Sequence, residues 1–245
     1  LAPPSALMAT ERPVRPSGLP GLAGRPVLAV LGADPDLGAL EPMVGAEGLG
    51  LAPTSVFGGP QHVQSGLAAI VATPDAVLSA LTANPHALVV YYGHIDQLEG
   101  QPLSAAMSLT DGRLRAELSA ADLLVSDRRG GPELMLLAGC SSLSATSSGT
   151  GEWWGLGTGL LWQGTQHVVG STWDLLHDEV TMSWVVDLAE RLRSADRPHH
   201  ALHEMQLDAY RCWSRESEGD SGQIGVRPYH WAGWVITSVR TGLDR

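Results

Sequence analysis

The chain contains no lysine: its 15 cationic side chains are all arginine. That absence excludes a Schiff-base lysine, the phosphate-gripping lysine of a P-loop and a serine–lysine dyad supplied by these residues. Cysteine is nearly absent too. Two residues, Cys140 and Cys212, are too few for a disulfide framework. No apolar run is long enough to span a bilayer, and the first thirty residues lack the basic start and apolar stretch of a secretory signal. Cytoplasm is therefore the expected compartment, with no membrane partner. The first residue is Leu rather than Met, which suits a processed product or a piece of something longer. Positive charge is scarce: the net charge is −11, and the arginines at 113, 115, 128, 129, 191 and 193 are interspersed with acids. A surface that tracks phosphates is thus not expected, so nucleic acid is excluded as a direct partner, whereas a basic peptide or protein is compatible.

What is present is a globular composition, 44% hydrophobic and 17% charged over 245 residues, enough to bury a full core. Residues 1–25 are rich in Pro, Gly and Ala without periodicity and read as an arm or linker, with 26–245 forming a single domain. The pattern then alternates. Pro26–Leu31 reads as a short buried strand, and Thr73–Ala83 as a helix entered through Thr73 with Pro74 at its first position. Ala106–Thr110 and Arg113–Leu118 flank Asp111-Gly112, a hairpin signal, and Ser119 is placed to cap a brief helix. Gly155–Gly164 reads as a helix, Gln166–Trp173 as a strand, and 178–192 and 199–215 as helices, with Tyr229–Thr237 as a closing strand. Strands alternating with helices predict an α/β fold with a mostly parallel central sheet.

Two apolar runs stop at residues that can do chemistry. Ala87–Gly93 runs into His94, and Glu133–Gly139 runs into Cys140. In an open parallel sheet the reactive surface lies just outside the carboxyl ends of the strands, so residues ending two neighbouring strands face one cleft. A cysteine nucleophile needs such a neighbour, because the thiolate is the attacking species. The plainer reading is a small packed cysteine and a surface histidine. The other histidines show no ligand spacing with carboxylates or cysteines. His199, His200 and His203 read as a solvated helix start, so no metal and no cofactor is expected.

Five stretches, Leu-Val-Val-Tyr-Tyr-Gly-His (88–94), Leu-Leu-Ala-Gly-Cys-Ser-Ser (136–142), Gly-Leu-Gly-Thr-Gly-Leu-Leu-Trp-Gln-Gly (155–164), His-Val-Val-Gly-Ser-Thr-Trp-Asp (167–174) and Pro-Tyr-His-Trp-Ala-Gly-Trp (228–234), occur in an order that resembles the CHAT domain. That family is a branch of the caspase-like cysteine peptidases of clan CD, close to the protease domain of separase. The resemblance implies a caspase-like αβα sandwich and a hydrolase in which Cys140 is the nucleophile and His94 its base. It also implies an oxyanion site built from backbone amides, those of Cys140 and of the Gly93–Ile95 turn being the candidates. CHAT domains commonly accompany repeat domains and bacterial defence or cell-death systems, which implies regulation by a protein partner or a fused regulatory domain. One departure stands out: family members usually carry glycine after the histidine, where this chain has Ile95, which restricts the backbone and narrows the cleft.

Specificity follows from sheet geometry. Asp34 and Asp36 lie just past strand 26–31 and Asp174 just past strand 166–173, so all three are candidates to line a negative pocket beside Cys140. Such a pocket takes a cation, and the planar fork of arginine pairs with a carboxylate better than lysine does. Cleavage of a protein or peptide after Arg, or less well Lys, is the expectation, and the resemblance points the same way for Asp174. Asp34 and Asp36 also suit a loop turn beside Pro35, and Asp178 a helix cap. Two other functions stay open: a catalytically silent interaction domain of the same fold, and a nucleotide-binding α/β protein suggested by glycines 149, 151, 155, 157 and 159.

Overall fold

The computed structural model describes residues 26–32, 55–58, 69–98, 100–110, 115–144, 146–147, 153–176, 178–217 and 227–239. The proposed arm, the Asp111-Gly112 turn, and Asp34 and Asp36 lie outside the described residues.

The core is a seven-stranded sheet in the order β12 (Trp234–Ser238), β11 (His167–Ser171), β8 (Leu134–Ala138), β4 (Leu88–Tyr92), β1 (Val27–Leu31), β2 (Ser55–Gly58) and β3 (Ala69–Val71). Every neighbouring pair is parallel except β11 with β12. The central strands read VLAVL, LVVYY and LMLLA because both faces are covered, and a strand buried on two sides needs apolar residues at every position rather than at alternate ones. All five residues of β4 and all five of β8 are buried.

The alternation of side chains along each strand divides the core into two layers. Leu88, Val90, Leu134, Leu136 and Val169 pack against α4 (Glu179–Ser194) and α5 (Pro198–Ser217) through Val185, Leu188, Leu192, Leu202 and Met205. Val89, Tyr91, Met135, Leu137 and Val168 pack on the other face against α1 (Pro74–Ala83), α2 (Ala120–Val125) and α3 (Leu156–Gln163). Helix ends follow local chemistry. Thr73 accepts a hydrogen bond from the Ala76 N–H with Pro74 at the first position of α1, and Ser119 with Asp122 forms a reciprocal cap on α2.

Between β4 and β8 the chain makes a three-stranded excursion, β5 (Ile95–Asp96), β6 (Ala106–Thr110) and β7 (Arg115–Ser119), all antiparallel. The paired strands β6 and β7 are the expected hairpin. A small antiparallel pair, β9 (Thr146–Ser147) with β10 (Trp153–Trp154), follows β8. Three differences from the sequence reading stand out. Strands β2 and β3 extend the sheet where no strand was expected, β9 and β10 pair within the Ser/Thr/Gly-rich segment, and the run Tyr229–Thr237 is not one strand. Pro228 opens a helical turn, α6 (Pro228–Trp231), closed by the Ala232 N–H donating to the Pro228 carbonyl, and β12 begins only after Gly233. Proline sets the helical φ in advance and lacks the donor that a strand ladder needs.

Strand order reverses between β1 and β4, where connections leave in opposite directions; in open α/β sheets this is the place where ligands bind, outside the carboxyl ends of the strands. His94 stands at that edge, and Cys140 follows the next strand along.

Candidate active site

Strands β4 and β8 run parallel with Tyr92 opposite Ala138, so Gly93 and Gly139 leave the sheet side by side and carry His94 and Cys140 with them. The approach is close. The Gly93 N–H donates to the Ala138 carbonyl at 3.2 Å, and a Cβ added to Gly139 would come within 2.6 Å of the Gly93 oxygen. Only a residue without a side chain fits there, and this backbone contact keeps the segments bearing His94 and Cys140 together. The Ile95 side chain lies over the same glycine, 2.9 Å from where that Cβ would be.

The backbone of His94 is fixed from the hairpin side. Its carbonyl accepts the Ser108 N–H at 3.0 Å and lies 2.6 Å from the Tyr91 hydroxyl. Tyr91 is fully buried, and burial raises its phenol well above the ordinary value, so it stays a neutral donor. The His94–Ser108 bond also orients the next residue. Successive pairs in an antiparallel ladder alternate between bonded and non-bonded, so opposite Met107 the Ile95 N–H turns away from β6. Of the candidate oxyanion amides, that of Gly93 is engaged in the sheet, so those of Ile95 and Cys140 remain the candidates.

Cys140 is half-buried on the face occupied by α4 and α5, and its Sγ lies 3.7 Å from the Leu175 carbonyl. The turn that follows it is tied to the end of β11. Ser142 Oγ donates to the Leu137 carbonyl at 2.9 Å and accepts the Ser171 N–H at 2.8 Å, and the Ser141 N–H donates to the Trp173 carbonyl at 2.9 Å. Asp174 sits in this seam. It is exposed, and its Oδ1 accepts from Ser141 Oγ at 2.9 Å, one residue from the nucleophile candidate.

Below the thiol on the same face is Tyr92, which no sequence signal singled out. Burial pushes its phenol up to about 12, with the electrostatic proximity of Cys140 and Asp178 adding to the shift, so it remains protonated near neutrality. Asp178 caps α4 by accepting the Thr181 N–H at 2.7 Å, and its other oxygen lies 3.2 Å from Nε2 of His230. His230 is buried and its Nδ1 accepts the Arg227 N–H at 2.9 Å, which leaves Nε2 as the protonated nitrogen facing Asp178. Burial pulls the Asp178 carboxyl upward, but the Thr181 N–H and His230 hold it below its ordinary value. The glycines of α3 serve packing: a Cβ at Gly157 would meet Leu143 at 2.4 Å, and one at Gly159 would meet Leu123 at 3.1 Å. Gly149 and Gly151 lie outside the described residues.

A mostly parallel sheet covered on both faces by helices, with a histidine and a cysteine outside the carboxyl ends of adjacent strands, has the architecture of the caspase-like αβα sandwich. A family model for the CHAT domain matches residues 32–239, most of the chain, and the chain belongs to that family, which is related to the caspase-like cysteine peptidases. No curated protein matches the chain. Among the described residues, no helix is long and apolar enough to cross a membrane.

Proposed function

We propose that this chain is a cysteine endopeptidase that cleaves protein substrates after arginine, or less well lysine. The observation that supports the reading is the register of β4 with β8, which brings the segments carrying His94 and Cys140 to the same end of adjacent strands. In the proposed reaction Cys140 Sγ attacks the carbonyl carbon of the scissile peptide, and its proton passes to His94. The amides of Ile95 and Cys140 receive the oxyanion, each such donor being worth about 2.7–4 kcal/mol where measured. His94 then protonates the departing amine as the C–N bond breaks, leaving a thioester on Cys140. Water, deprotonated by His94, attacks the thioester to release the acid and restore the thiol.

Asp174, exposed and one residue from Cys140 across the Ser141 contact, is the proposed partner of the substrate cation. A net charge of −11 favours the approach of basic segments. Regulation by a partner is supported by two contacts at the resting site. The Leu175 carbonyl is an alternative acceptor for the Cys140 proton, and Ile95 covers Gly139, so a partner that moves 172–176 would change the competence of the thiol.

The test is a fluorogenic peptide library varied at the residue before the scissile bond, run on the chain and on Cys140→Ala and His94→Ala. Arg-selective turnover lost in both variants is the expected result. If no peptide is cleaved and an Arg chloromethyl ketone fails to label Cys140, the peptidase reading is wrong.

A further inference from the structure

Among the described residues Ser141 is the one non-glycine with positive φ, at +49°. Side-chain-bearing residues avoid that left-handed region, and such conformations persist where surrounding contacts hold them. Here the holding contacts all lead to one place. The Ser141 N–H donates to the Trp173 carbonyl at 2.9 Å and its Oγ to Asp174 Oδ1 at 2.9 Å, so backbone and side chain grip consecutive residues of the strand end beside Cys140. The next two residues continue the seam, with Ser142 Oγ accepting the Ser171 N–H and the Leu143 N–H donating to the Ser171 carbonyl at 2.8 Å.

An exposed carboxylate normally rotates freely about its two side-chain torsions. One fixed donor on Oδ1 sets the plane of the Asp174 carboxylate while leaving Oδ2, and a second lone pair on Oδ1, open to an incoming group. A guanidinium approaches such a plane edge-on with two parallel N–H bonds, and its affinity depends on that plane being set beforehand. We propose that Ser141 is a positioning residue for cation recognition, its hydroxyl orienting Asp174 to receive the arginine side chain that precedes the scissile bond. The inference rests on Asp174 being the partner of that cation. It adds the residue that sets the geometry of the pair and links it directly to the turn carrying the nucleophile.

The experiment compares matched peptides with arginine or its neutral isostere citrulline before the scissile bond, on the full chain and on Ser141→Ala, Ser141→Gly, Asp174→Asn and the Ser141→Ala/Asp174→Asn double variant. Ser141→Ala is expected to raise KM for the arginine peptide about tenfold, as befits a hydrogen bond to a charged group, with kcat and the citrulline peptide unaffected. Ser141→Gly tolerates positive φ but has no hydroxyl, and is expected to match Ser141→Ala. In the Asp174→Asn background Ser141→Ala is expected to add nothing. Wild-type selectivity in Ser141→Gly, or equal losses on both peptides in Ser141→Ala, would overturn the positioning role while leaving Asp174 in place. An unchanged arginine-to-citrulline ratio in Asp174→Asn would overturn the Asp174 reading, and this inference with it. If no peptide turns over, labelling rates of Cys140 by Arg and citrulline chloromethyl ketones carry the same comparison, and no labelling by either overturns both.

Discussion

The Tyr91 hydroxyl lies 2.6 Å from the carbonyl oxygen of His94, reaching it from the sheet face opposite to the one on which Cys140 packs. The same carbonyl accepts the Ser108 N–H, so the backbone of His94 is held from the strand before it and from the hairpin beyond it. In the proposed reaction His94 acts as the base, and a base must be set to within a fraction of an ångström of its nucleophile, so this contact would link a core side chain to that requirement.

Tyr91→Phe removes the hydroxyl that reaches the His94 carbonyl at 2.6 Å and the Ser108 carbonyl at 3.2 Å, and keeps the ring, the packing and the bond from the Ser108 N–H to His94. The expected cost is about 1 kcal/mol of stability, from a net buried hydrogen bond. Turnover is expected to fall through kcat, with KM little changed, because substrate contacts are untouched. Urea unfolding and steady-state kinetics on the variant check both. A variant as stable and as active as the parent would show that the Tyr91 bond is not needed to fix His94.

Gly139→Ala tests the close approach of the two site-bearing segments. The new methyl would meet the Gly93 carbonyl at 2.6 Å and the Ile95 side chain at 2.9 Å, and the first of these is backbone. Relief requires the ends of β4 and β8 to part. Overpacking of this kind costs about 1–3 kcal/mol, and the alkylation rate of Cys140 should change with it. Thermal melting gives the first quantity and mass-resolved iodoacetamide labelling, with exposed Cys212 as internal reference, the second. Unaltered melting and labelling would mean that the strand ends separate freely.

Much of this arrangement was legible in the sequence because parallel strands and helix caps leave local signatures. The apolar runs before His94 and Cys140, Thr73 with Pro74, and Ser119 each point to the element found. Strand β2 left little trace, since Ser55-Val-Phe-Gly is four residues among glycines and prolines. At Tyr229–Thr237 an apolar run was read as one strand although Pro228 signals a helical start. The contacts without a sequence signature join residues far apart in the chain, Ser141 with Asp174 and Asp178 with His230, and no periodicity or spacing encodes such pairs.

His167 gives the fold a pH dependence at the opposite end of β11 from the site. Its ring is half-buried, and that burial pulls its pKa below the ordinary 6.5; Glu133 opposes the shift and His199 adds to it. Well above 6.5 both folded and unfolded chains hold a neutral imidazole, and the group contributes no slope. As pH falls below that value the unfolded chain takes up the proton first, so stability is lost on acidification. His167→Asn, whose amide can keep the bond that Nδ1 makes with Ser238 Oγ at 2.8 Å, should flatten the stability profile between about pH 7 and pH 5. Denaturant midpoints across that range test it, and an unchanged slope would assign the dependence to another group.

Asp178 combines two roles that substitutions can separate. As N-cap of α4 it satisfies the Thr181 N–H, and through Oδ2 it meets the buried His230 of α6, joining that short helical turn to the helix that covers the Cys140 face. Asp178→Ala removes both contacts and is expected to cost about 1 kcal/mol, the usual loss for an N-cap, with His230 Nε2 left unpaired in addition. Asp178→Asn keeps a capping oxygen, since asparagine caps helices as well as aspartate does, but turns an NH2 donor toward the protonated His230 Nε2, so it loses the charge and the His230 contact while keeping the cap. The two variants should also differ in acid. Because the folded carboxyl titrates below its ordinary 3.8, its contribution is fully present above that value and fades as pH falls through the lower, folded one. The parent should therefore lose stability on acidification below about pH 4 more steeply than Asp178→Asn, while at pH 7 Asp178→Asn should melt closer to the parent than Asp178→Ala does. Equal melting of the two variants at pH 7 would mean that the charge facing His230, and not the cap, holds α6 against α4.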